Sequence, residues 1–277
     1  MHEVNYKNEN PLVSVVMVTY NGQDYIADQL HSILHQTYQN IEIIILDNAS
    51  TDQTISIIEH AMVNDKRIQI IHNYNNAGPT KGFEKAMLIA EGSFIAPCDQ
   101  DDVWELNKLE VMMGYLQSSS EFLYSRPGQF PDGTFEKRTW SSDYYYRNVD
   151  DLRMLIFHTP ISGHATLFRK ELLNCCTPFP DGVYWDWWIT IHAVLRHPLV
   201  YVPYTLTWQR IHSRNVSLSK YLLSKNEQLQ KVKEERLALL QHFFATPKPH
   251  SEQVSSILEY FNALQQLNDQ SFSVQLF

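Results

Sequence analysis

The sequence has 277 residues, of which 44% are apolar, and its 31 acidic and 22 basic side chains give a formal net charge of −9. This length suits one large domain or a domain with an appendage, and the apolar fraction excludes disorder and coiled coil for most of the chain. Because duplex binding needs clustered Lys and Arg, the acidic balance excludes nucleic acid as an expected partner.

Location and redox state follow from two further features. Residues 1–11 lack the apolar core of a secretion signal, and no run of 18 apolar residues occurs. The three cysteines, Cys98, Cys175 and Cys176, have the spacing of neither a disulfide framework nor a zinc site. We therefore expect a cytoplasmic protein in reducing surroundings.

The first hundred residues alternate between strand and helix patterns. Continuous apolar runs at residues 13–18, 41–46 and 68–72 predict buried parallel strands. Apolar residues at helical spacing lie between them, and Ser50 with Gln53 reads as a capping box for the second helix. A third helix over residues 80–90 leads to a strand at 93–96, which Pro97 should end or place at an edge. This alternation predicts an open α/β sheet.

The second half of the chain has weaker patterns. Turn formers and aromatic residues over 118–150 predict loops and short strands, and helical spacing returns at 151–157, 170–173 and 187–195. Beyond residue 217 we expect two helices, separated by ATPKPH, the second over residues 251–267.

Polar residues follow three of the predicted strands, and ligands of an open α/β sheet bind at such strand ends. Neither a dinucleotide fingerprint nor a P-loop is present. After the fourth strand comes DQDD, residues 99–102, whose crowded carboxylates favour a hard divalent cation such as Mg²⁺ or Mn²⁺. The alternative is that Asp99 or Asp101 caps a helix over residues 103–113.

The ordered motifs VSVVMVTYNGQDYIADQLHSILHQTYQNIEIIILDNASTDQT and NNAGPTKGFEKAMLIAEGSFIAPCDQDDVW resemble the nucleotide-binding half of family 2 glycosyltransferases. They are most similar to the bacterial rhamnosyltransferase-like members, which carry a DQDD-W segment. The resemblance covers residues 11–215 and implies a GT-A-type nucleotide-diphosphosugar transferase fold, an α/β sandwich with an open mixed sheet flanked by helices. It implies a domain over residues 1–215, with a donor half at about 11–115 and an acceptor half at about 116–215, and a C-terminal helical extension over 216–277.

The resemblance implies a donor pocket built from eight residues: Thr19, Tyr20, Asn21, Asp47, Lys81, Asp99, Asp101 and Asp102. Thr19 and Asp47 would line the place of the base and ribose, since a carboxylate accepts the N3 proton of uracil or thymine. Asp99 would face ribose or sugar, Asp101 would hold the cation on the diphosphate, and Asp102 would contact the sugar. Lys81 has the alternative of a plain surface lysine. Asn48 and Ala49 replace an acid and a glycine of the family motif.

The acceptor side rests on two segments. In PISGHATLFRKELL, Gly163 permits a close approach, and His164 either touches substrate or is structural. In YWDWW, Asp186 matches the family's catalytic base, and Trp185 and Trp187 offer stacking faces for sugar rings. The alternative for Asp186 is a helix cap among core tryptophans.

A third segment, RIHSRNVSL, resembles a family motif that follows the catalytic half. His212 would be a second metal ligand or a phosphate contact, since imidazole coordinates divalent cations. Arg210 and Arg214 are further candidates for pairing with a diphosphate.

The function that the resemblance implies is metal-dependent, inverting transfer of a sugar from dTDP-rhamnose or a UDP-hexose. The acceptor would be a hydroxyl of a glycan or lipid-linked precursor in surface polysaccharide synthesis. Two alternatives stay open: a non-catalytic nucleotide-sugar or glycan-binding protein on this fold, and a two-metal nucleotidyltransferase, which should carry a basic glycine loop.

Three roles stay open for the tail: an acceptor-side lid, a homodimer contact, and an interfacial helix for peripheral contact at the inner membrane face. Its mixed charges, Lys231, Lys233, Glu234, Glu235 and Arg236, fit an anionic lipid surface poorly and favour packing or self-association.

Overall fold

The structure is a computed structural model that describes residues 10–117, 119–140, 146–157, 161–215, 224–245 and 252–273. Strands and helices alternate up to residue 98: β1 (Val13–Thr19), α1 (Ile26–Leu34), β2 (Ile41–Asn48), α2 (Thr54–Asn64), β3 (Ile68–Asn73), α3 (Gly78–Ile89) and β4 (Phe94–Cys98). The predicted parallel strands are confirmed, because β1 pairs in parallel with both β2 and β4, and β2 pairs in parallel with β3.

The rest of the chain adds further strands and helices: β5 (Val103–Trp104), α4 (Lys108–Gly114), β6 (Phe122–Pro131), β7 (Thr139–Trp140), α5 (Leu152–Phe157), β8 (Thr166–Arg169), α6 (Leu173–Cys176), α7 (Trp185–Val194), β9 (Val200–Ile211), α8 (Lys225–Phe244) and α9 (Glu252–Ser273). The strands join one mixed sheet in the order β3-β2-β1-β4-β8-β6-β9-β5, and β7 pairs with β6. The sheet carries helices on both faces, which is the predicted open α/β architecture.

Two apolar cores cover the two faces of the sheet. One core joins α1, α2 and α4 to β1, β2 and β4, and Ile33 and Leu109 in it are fully buried. The other joins α3, α5, α7, α8 and α9 to the opposite face, around residues such as Ile189 and Phe243. Alternate residues of β1, Val15 and Val16, enter different cores, as a strand covered on both faces requires.

Three local predictions differ from the structure. β4 continues through Pro97 to Cys98, with Pro97 opposite Val16 of β1. The antiparallel partner β8 pairs only at Phe94 and Ile95, so no β8 residue requires the N–H that proline lacks. The helix expected from residue 103 begins at Lys108, after the short strand β5. Residues 118–150 contain the ten-residue strand β6, which fills the sheet between β8 and β9.

The second helix also begins differently from the prediction. It starts at Thr54 with no side-chain cap at its N-terminus. The Ser50 hydroxyl instead accepts a hydrogen bond from the Asn21 backbone at 2.9 Å. Residues 141–145, the ATPKPH segment after Ala245 and the predicted helix start at Ser251 lie outside the described residues.

The two C-terminal helices pack on the body of the protein. Ser224 and Glu227 form a capping box at the start of α8, and Leu239, Leu240 and Phe243 of that helix are fully buried. Ile257 of α9 enters the same core. Among the described residues, none of the helices has the length and apolar character needed to cross a membrane.

We expect Leu240→Ala to lower the free energy of unfolding by about 2–5 kcal/mol, because the substitution leaves a cavity in a packed core. Leu229→Ala on the same helix is the control, since Leu229 is 62% exposed, and it should change stability by less than about 0.5 kcal/mol. Urea denaturation followed by circular dichroism measures both. Equal effects of the two substitutions would contradict the packing of α8 on the core.

Candidate active site

A cleft of about 1190 Å³ opens beyond the carboxyl ends of β1, β2 and β4. It brings together eleven of the candidate site residues named from the sequence: Tyr20, Asn21, Asp99, Asp101, Gly163, His164, Trp185, Asp186, Trp187, His212 and Arg214. They come from strand ends, from the start of α7 and from the turn after β9. The strand-end rule therefore located the cleft correctly.

Asp101 meets His212 in this cleft. The His212 Nε2 atom lies 2.8 Å from Asp101 Oδ2, and the Asn215 amide donates to the same oxygen at 3.3 Å. The Tyr25 ring stacks on the His212 ring with centroids 4.4 Å apart, which fixes the imidazole plane. Burial and the nearby charge of Asp99 raise the pKa of Asp101.

Behind this pair lies a charge cluster formed by three buried residues, Asp102, His164 and Lys108, and by Asp99, which lines the cleft. His164 Nδ1 lies 3.0 Å from Asp99 Oδ2 and 3.1 Å from Asp102 Oδ2. The fully buried Lys108 ammonium donates to the His164 carbonyl at 2.6 Å and lies 3.5 Å from the centre of the Trp104 ring. Asp99, Asp102 and His164 each offer a potential ligand atom within 4.8 Å of the others.

Burial and the neighbouring charges compete in this cluster, and the balance differs between His164 and Lys108. Burial would lower the pKa of His164, but the carboxylates of Asp102 and Asp99 outweigh it and raise that pKa to about 9. Burial lowers the pKa of Lys108 to about 7. The His164 imidazolium therefore neutralises part of the acidic charge without a metal ion.

Asp186 lies in the first turn of α7 and faces the same cleft. Its Oδ2 accepts a hydrogen bond from the Gly163 backbone at 3.1 Å, and its Oδ1 accepts one from the Trp187 backbone at 2.8 Å. Burial raises its pKa. Gly163 must be glycine here, since a Cβ atom would lie 2.4 Å from the Trp185 ring and 3.0 Å from the Asp186 Cβ.

Four residues of the predicted donor pocket, Thr19, Asp47, Lys81 and Asp102, do not line the cleft in the described part of the chain. Thr19 and Asp47 are paired in the β1–β2 register, directly beneath the cleft-lining residues Tyr20 and Asn48. Asp47 Oδ2 accepts a hydrogen bond from the Ser50 backbone at 3.0 Å, and its buried Oδ1 has no hydrogen-bond partner among the described residues. Lys81 pairs with Glu84 at 3.1 Å and with Asp181 at 3.5 Å.

The two arginine candidates are held by acids. Arg210 pairs with Asp28 at 2.7 Å and with Asp132 at 3.2 Å, and its side chain is only 8% exposed. Arg214 lines the cleft and pairs with Asp24. Both arginines are therefore already neutralised in this state of the protein.

Two residues beside the cleft have left-handed backbone. Asn21 has a φ of 48° and Ala49 has a φ of 68°. Asparagine tolerates the left-handed backbone conformation, whereas for alanine this conformation costs about 1–2 kcal/mol. Ala49 stands where the family motif has glycine, and the geometry shows why glycine suits the position. Strain of this kind is typical of functional sites.

Sequence reasoning missed Tyr25, and it placed Gln100 at a strand end without giving that residue a role. Tyr25 and Gln100 line the cleft, and Gln100 accepts hydrogen bonds from the Thr19 hydroxyl at 2.8 Å and the Tyr20 backbone at 3.0 Å. One face of α8 also lines the cleft, through Gln228, Lys231, Val232, Glu235 and Arg236. An acceptor-side lid was one of the three roles left open for the tail, but the polar i, i+3, i+4, i+7, i+8 spacing of that face did not select this role from the sequence.

The family model for glycosyl transferase family 2 matches residues 14–177, which is more than half of the chain. The chain therefore belongs to glycosyltransferase family 2. It is 39% identical over 226 residues to WfaP of Escherichia coli, described as a UDP-Glc:alpha-D-GlcNAc-diphosphoundecaprenol beta-1,3-glucosyltransferase, covering 76% of this chain and 81% of WfaP.

Two solved structures show the same fold. TarS of S. aureus, in complex with UDP-GlcNAc, superposes with a TM-score of 0.59 at 21% identity, covering 84% of this chain and 73% of the other. The mannosyltransferase PcManGT of Pyrobaculum calidifontis, in complex with GDP-Man and Mn²⁺, has a TM-score of 0.64 at 15% identity, covering 98% of this chain and 82% of the other. The GT-A-type fold expected from the sequence is thus confirmed.

We expect the His164 imidazole of the metal-free protein to stay protonated at pH 7 and to titrate near pH 9. This pKa lies above the value of about 6.5 for an unfolded chain. The ion pairs of His164 with Asp99 and Asp102 therefore contribute their full stability below about pH 6.5, and this stability is lost as the pH rises through about 9. Imidazole nitrogen NMR, assigned with His164→Gln, measures the titration. A midpoint near 6.5 would contradict the ion pairs with Asp99 and Asp102.

Proposed function

We propose that this chain is an inverting glycosyltransferase that moves a sugar from a nucleotide diphosphosugar to a hydroxyl of a glycan or lipid-linked acceptor. One observation carries the proposal. In a chain of glycosyltransferase family 2, the partly buried carboxylate of Asp186 and the Asp101–His212 pair face a single cleft at the strand ends. A protein that only binds sugars has no need of a raised-pKa carboxylate beside a candidate cation site.

The donor nucleotide would lie over the ends of β1 and β2. Asp47 Oδ1 is buried without a hydrogen-bond partner among the described residues, which suits an acceptor for the N3 proton of uracil or thymine. WfaP is named for UDP-Glc, and TarS was crystallised with UDP-GlcNAc. These relatives favour a UDP-hexose, while dTDP-rhamnose stays a prediction from the DQDD-W likeness.

Asp101 and His212 would hold a divalent cation, Mn²⁺ or Mg²⁺. Carboxylate oxygen and imidazole nitrogen already converge at 2.8 Å on the wall of the cleft, and both suit Mn²⁺. The Asp99–Asp102–His164 group fits less well, because His164 Nδ1 is engaged by two carboxylates and Lys108 adds positive charge behind it. A cation held by Asp101 and His212 would neutralise charge on the departing diphosphate.

Asp186 would be the general base. The acceptor oxygen bonds to the anomeric carbon as the bond from that carbon to the diphosphate oxygen breaks, and the hydroxyl proton passes to the Asp186 carboxylate. Two backbone N–H groups fix the orientation of that carboxylate and leave each oxygen a further lone pair. Its burial raises the pKa toward the working pH, which is what a base requires.

The acceptor class follows WfaP, whose name gives a sugar on diphosphoundecaprenol as acceptor. With a lipid-linked acceptor of this kind, the chain would act in surface polysaccharide synthesis and would contact the inner membrane face peripherally. Trp185 and Trp187 flank Asp186 and line the cleft, where they offer stacking faces to the acceptor sugar.

A thermal-shift screen tests the donor. Nucleotide diphosphates and diphosphosugars are screened with and without Mn²⁺ or Mg²⁺. A ligand at 100 times its Kd stabilises the fold by about 2.7 kcal/mol, and since 1 kcal/mol moves Tm by about 2–4 °C for a chain of this size, the expected shift is about 5–11 °C. We expect a metal-dependent shift with uridine or thymidine compounds. A folded protein that responds to none of them would refute the transferase proposal.

Asp186→Asn tests the base. We expect kcat to fall about 10²- to 10⁴-fold while the Kd of the donor stays unchanged, because the amide keeps the shape but cannot take the proton. Asp181→Asn is the control, since the side chain of Asp181 is 90% exposed. Steady-state transfer and donor titration measure the two effects. Near-wild-type turnover in a folded Asp186→Asn protein would show that the base lies elsewhere.

A further inference from the structure

The cleft carries basic side chains at two separate places. His212 and Arg214 lie at the metal end, where each already contacts an acid, Asp101 and Asp24 respectively. Lys231 and Arg236 line the wall that α8 contributes. One diphosphate is expected at the metal end, so the second basic group has no role in the donor chemistry described above.

The position of α8 next to Asp186 is fixed by contacts at the middle of the helix and near its C-terminal end. The Tyr184 hydroxyl donates to Glu235 Oε1 at 3.2 Å, and Tyr184 directly precedes the first turn of α7 that carries Asp186. Further along α8, Leu240 and Phe243 are fully buried in the core. The cleft-lining face of α8 is therefore held on the acceptor side of the site.

This face of α8 carries two basic side chains and one acidic side chain. Lys231 and Arg236 contribute two positive charges, and Glu235, which accepts from Tyr184, contributes one negative charge. Lys231 is partly exposed, and among the residues that the structure describes it makes no hydrogen bond or ion pair. A helix face that packs against protein is normally apolar, so a cationic face toward a cleft calls for an anionic ligand.

The size of the cleft leaves room for that ligand. Ligand cavities usually measure about 300–1,000 Å³, and this cleft measures about 1190 Å³. A donor held at the strand ends does not reach every wall, and the part between Asp186 and α8 remains for the acceptor.

We propose that Lys231 and Arg236 form a subsite for the diphosphate group of the acceptor. The inference rests on the proposed function and deepens it, because it names the part of the acceptor that α8 recognises. A guanidinium matches two phosphate oxygens at once, and an ammonium adds a point charge beside it. The acceptor sugar then lies between this subsite and Asp186, with its diphosphate directed away from the metal end.

The test is direct binding, which needs no turnover. Isothermal titration measures the Kd of a synthetic N-acetylglucosaminyl diphosphate with a short alkyl tail, with UDP and Mn²⁺ saturating the donor site. The matched alkyl N-acetylglucosaminide, which lacks the diphosphate, is the neutral comparison. The variants are Lys231→Ala with Arg236→Ala, and Lys233→Ala, a control on the same helix that does not line the cleft.

We expect the double variant to weaken binding of the diphosphate compound at least tenfold and to leave the neutral compound unchanged. Lys233→Ala should change neither. An unchanged Kd for the diphosphate compound in the folded double variant would overturn the inference, and so would equal affinity of the wild type for the two compounds.

Two further measurements distinguish a failure of the donor site and a membrane contact from the acceptor subsite. The Kd of UDP with Mn²⁺ reports on the donor site alone, so a protein that binds the acceptor compound but no nucleotide would refute the proposed function and not the subsite. Flotation with phosphatidylglycerol vesicles tests a membrane headgroup as the ligand. If the double variant lost vesicle binding but kept the acceptor Kd, α8 would be a membrane contact and the subsite would be wrong.

Discussion

The burial of charged side chains behind the DQDD turn is the constraint on which the site depends. Asp102 and Lys108 are almost completely buried, and His164 is only 5% exposed. Removing one partner of such a cluster would leave an uncompensated buried charge, which typically costs about 3–5 kcal/mol. The cluster ties the turn after β4 to the turn before β8, and the backbone of that second turn holds the Asp186 carboxylate. The DQDD turn and Asp186 therefore keep their relative position through a chain of polar contacts.

The elements predicted well from the sequence are those whose pattern is local. β1 and β2 are buried on both faces, so their continuous apolar runs are visible in any short window. β3 was predicted as a buried strand, but it lies at the edge of the sheet and is only partly buried. β6 was missed because its SRPGQFP half reads as turns. The structure accommodates these residues through two register shifts against β9, between Ser125 and Arg126 and between Arg126 and Pro127. Such an irregularity depends on the partner strand and leaves no periodicity in the sequence.

The residues of the site also divide into those that could be predicted from the sequence and those that could not. The DQDD turn and Asp186 could be proposed from residue type and family motif, and the structure brings both to one cleft. The role of Lys108 could not, because its partner His164 is 56 residues away and a lysine in a helix is ordinarily a surface residue. The pairing of Arg210 with Asp28, across 182 residues, was equally invisible. Motifs show which groups a chain carries, whereas the contacts that set their charge arise from the topology.

The buried cluster also sets an order on folding. Asp102 and Lys108 belong to the first half of the chain, and their partners His164 and Arg210 come from the second. During synthesis, β1 to β4 and their helices can form early from local contacts. The DQDD turn, however, must stay hydrated until β8 and β9 have been made. β9 then pairs with β5 and β6 and covers the turn. The carboxylates of the site thus become structured only once the whole sheet is assembled, so a nascent chain that stops short of β9 presents an acidic loop rather than a half-built active site.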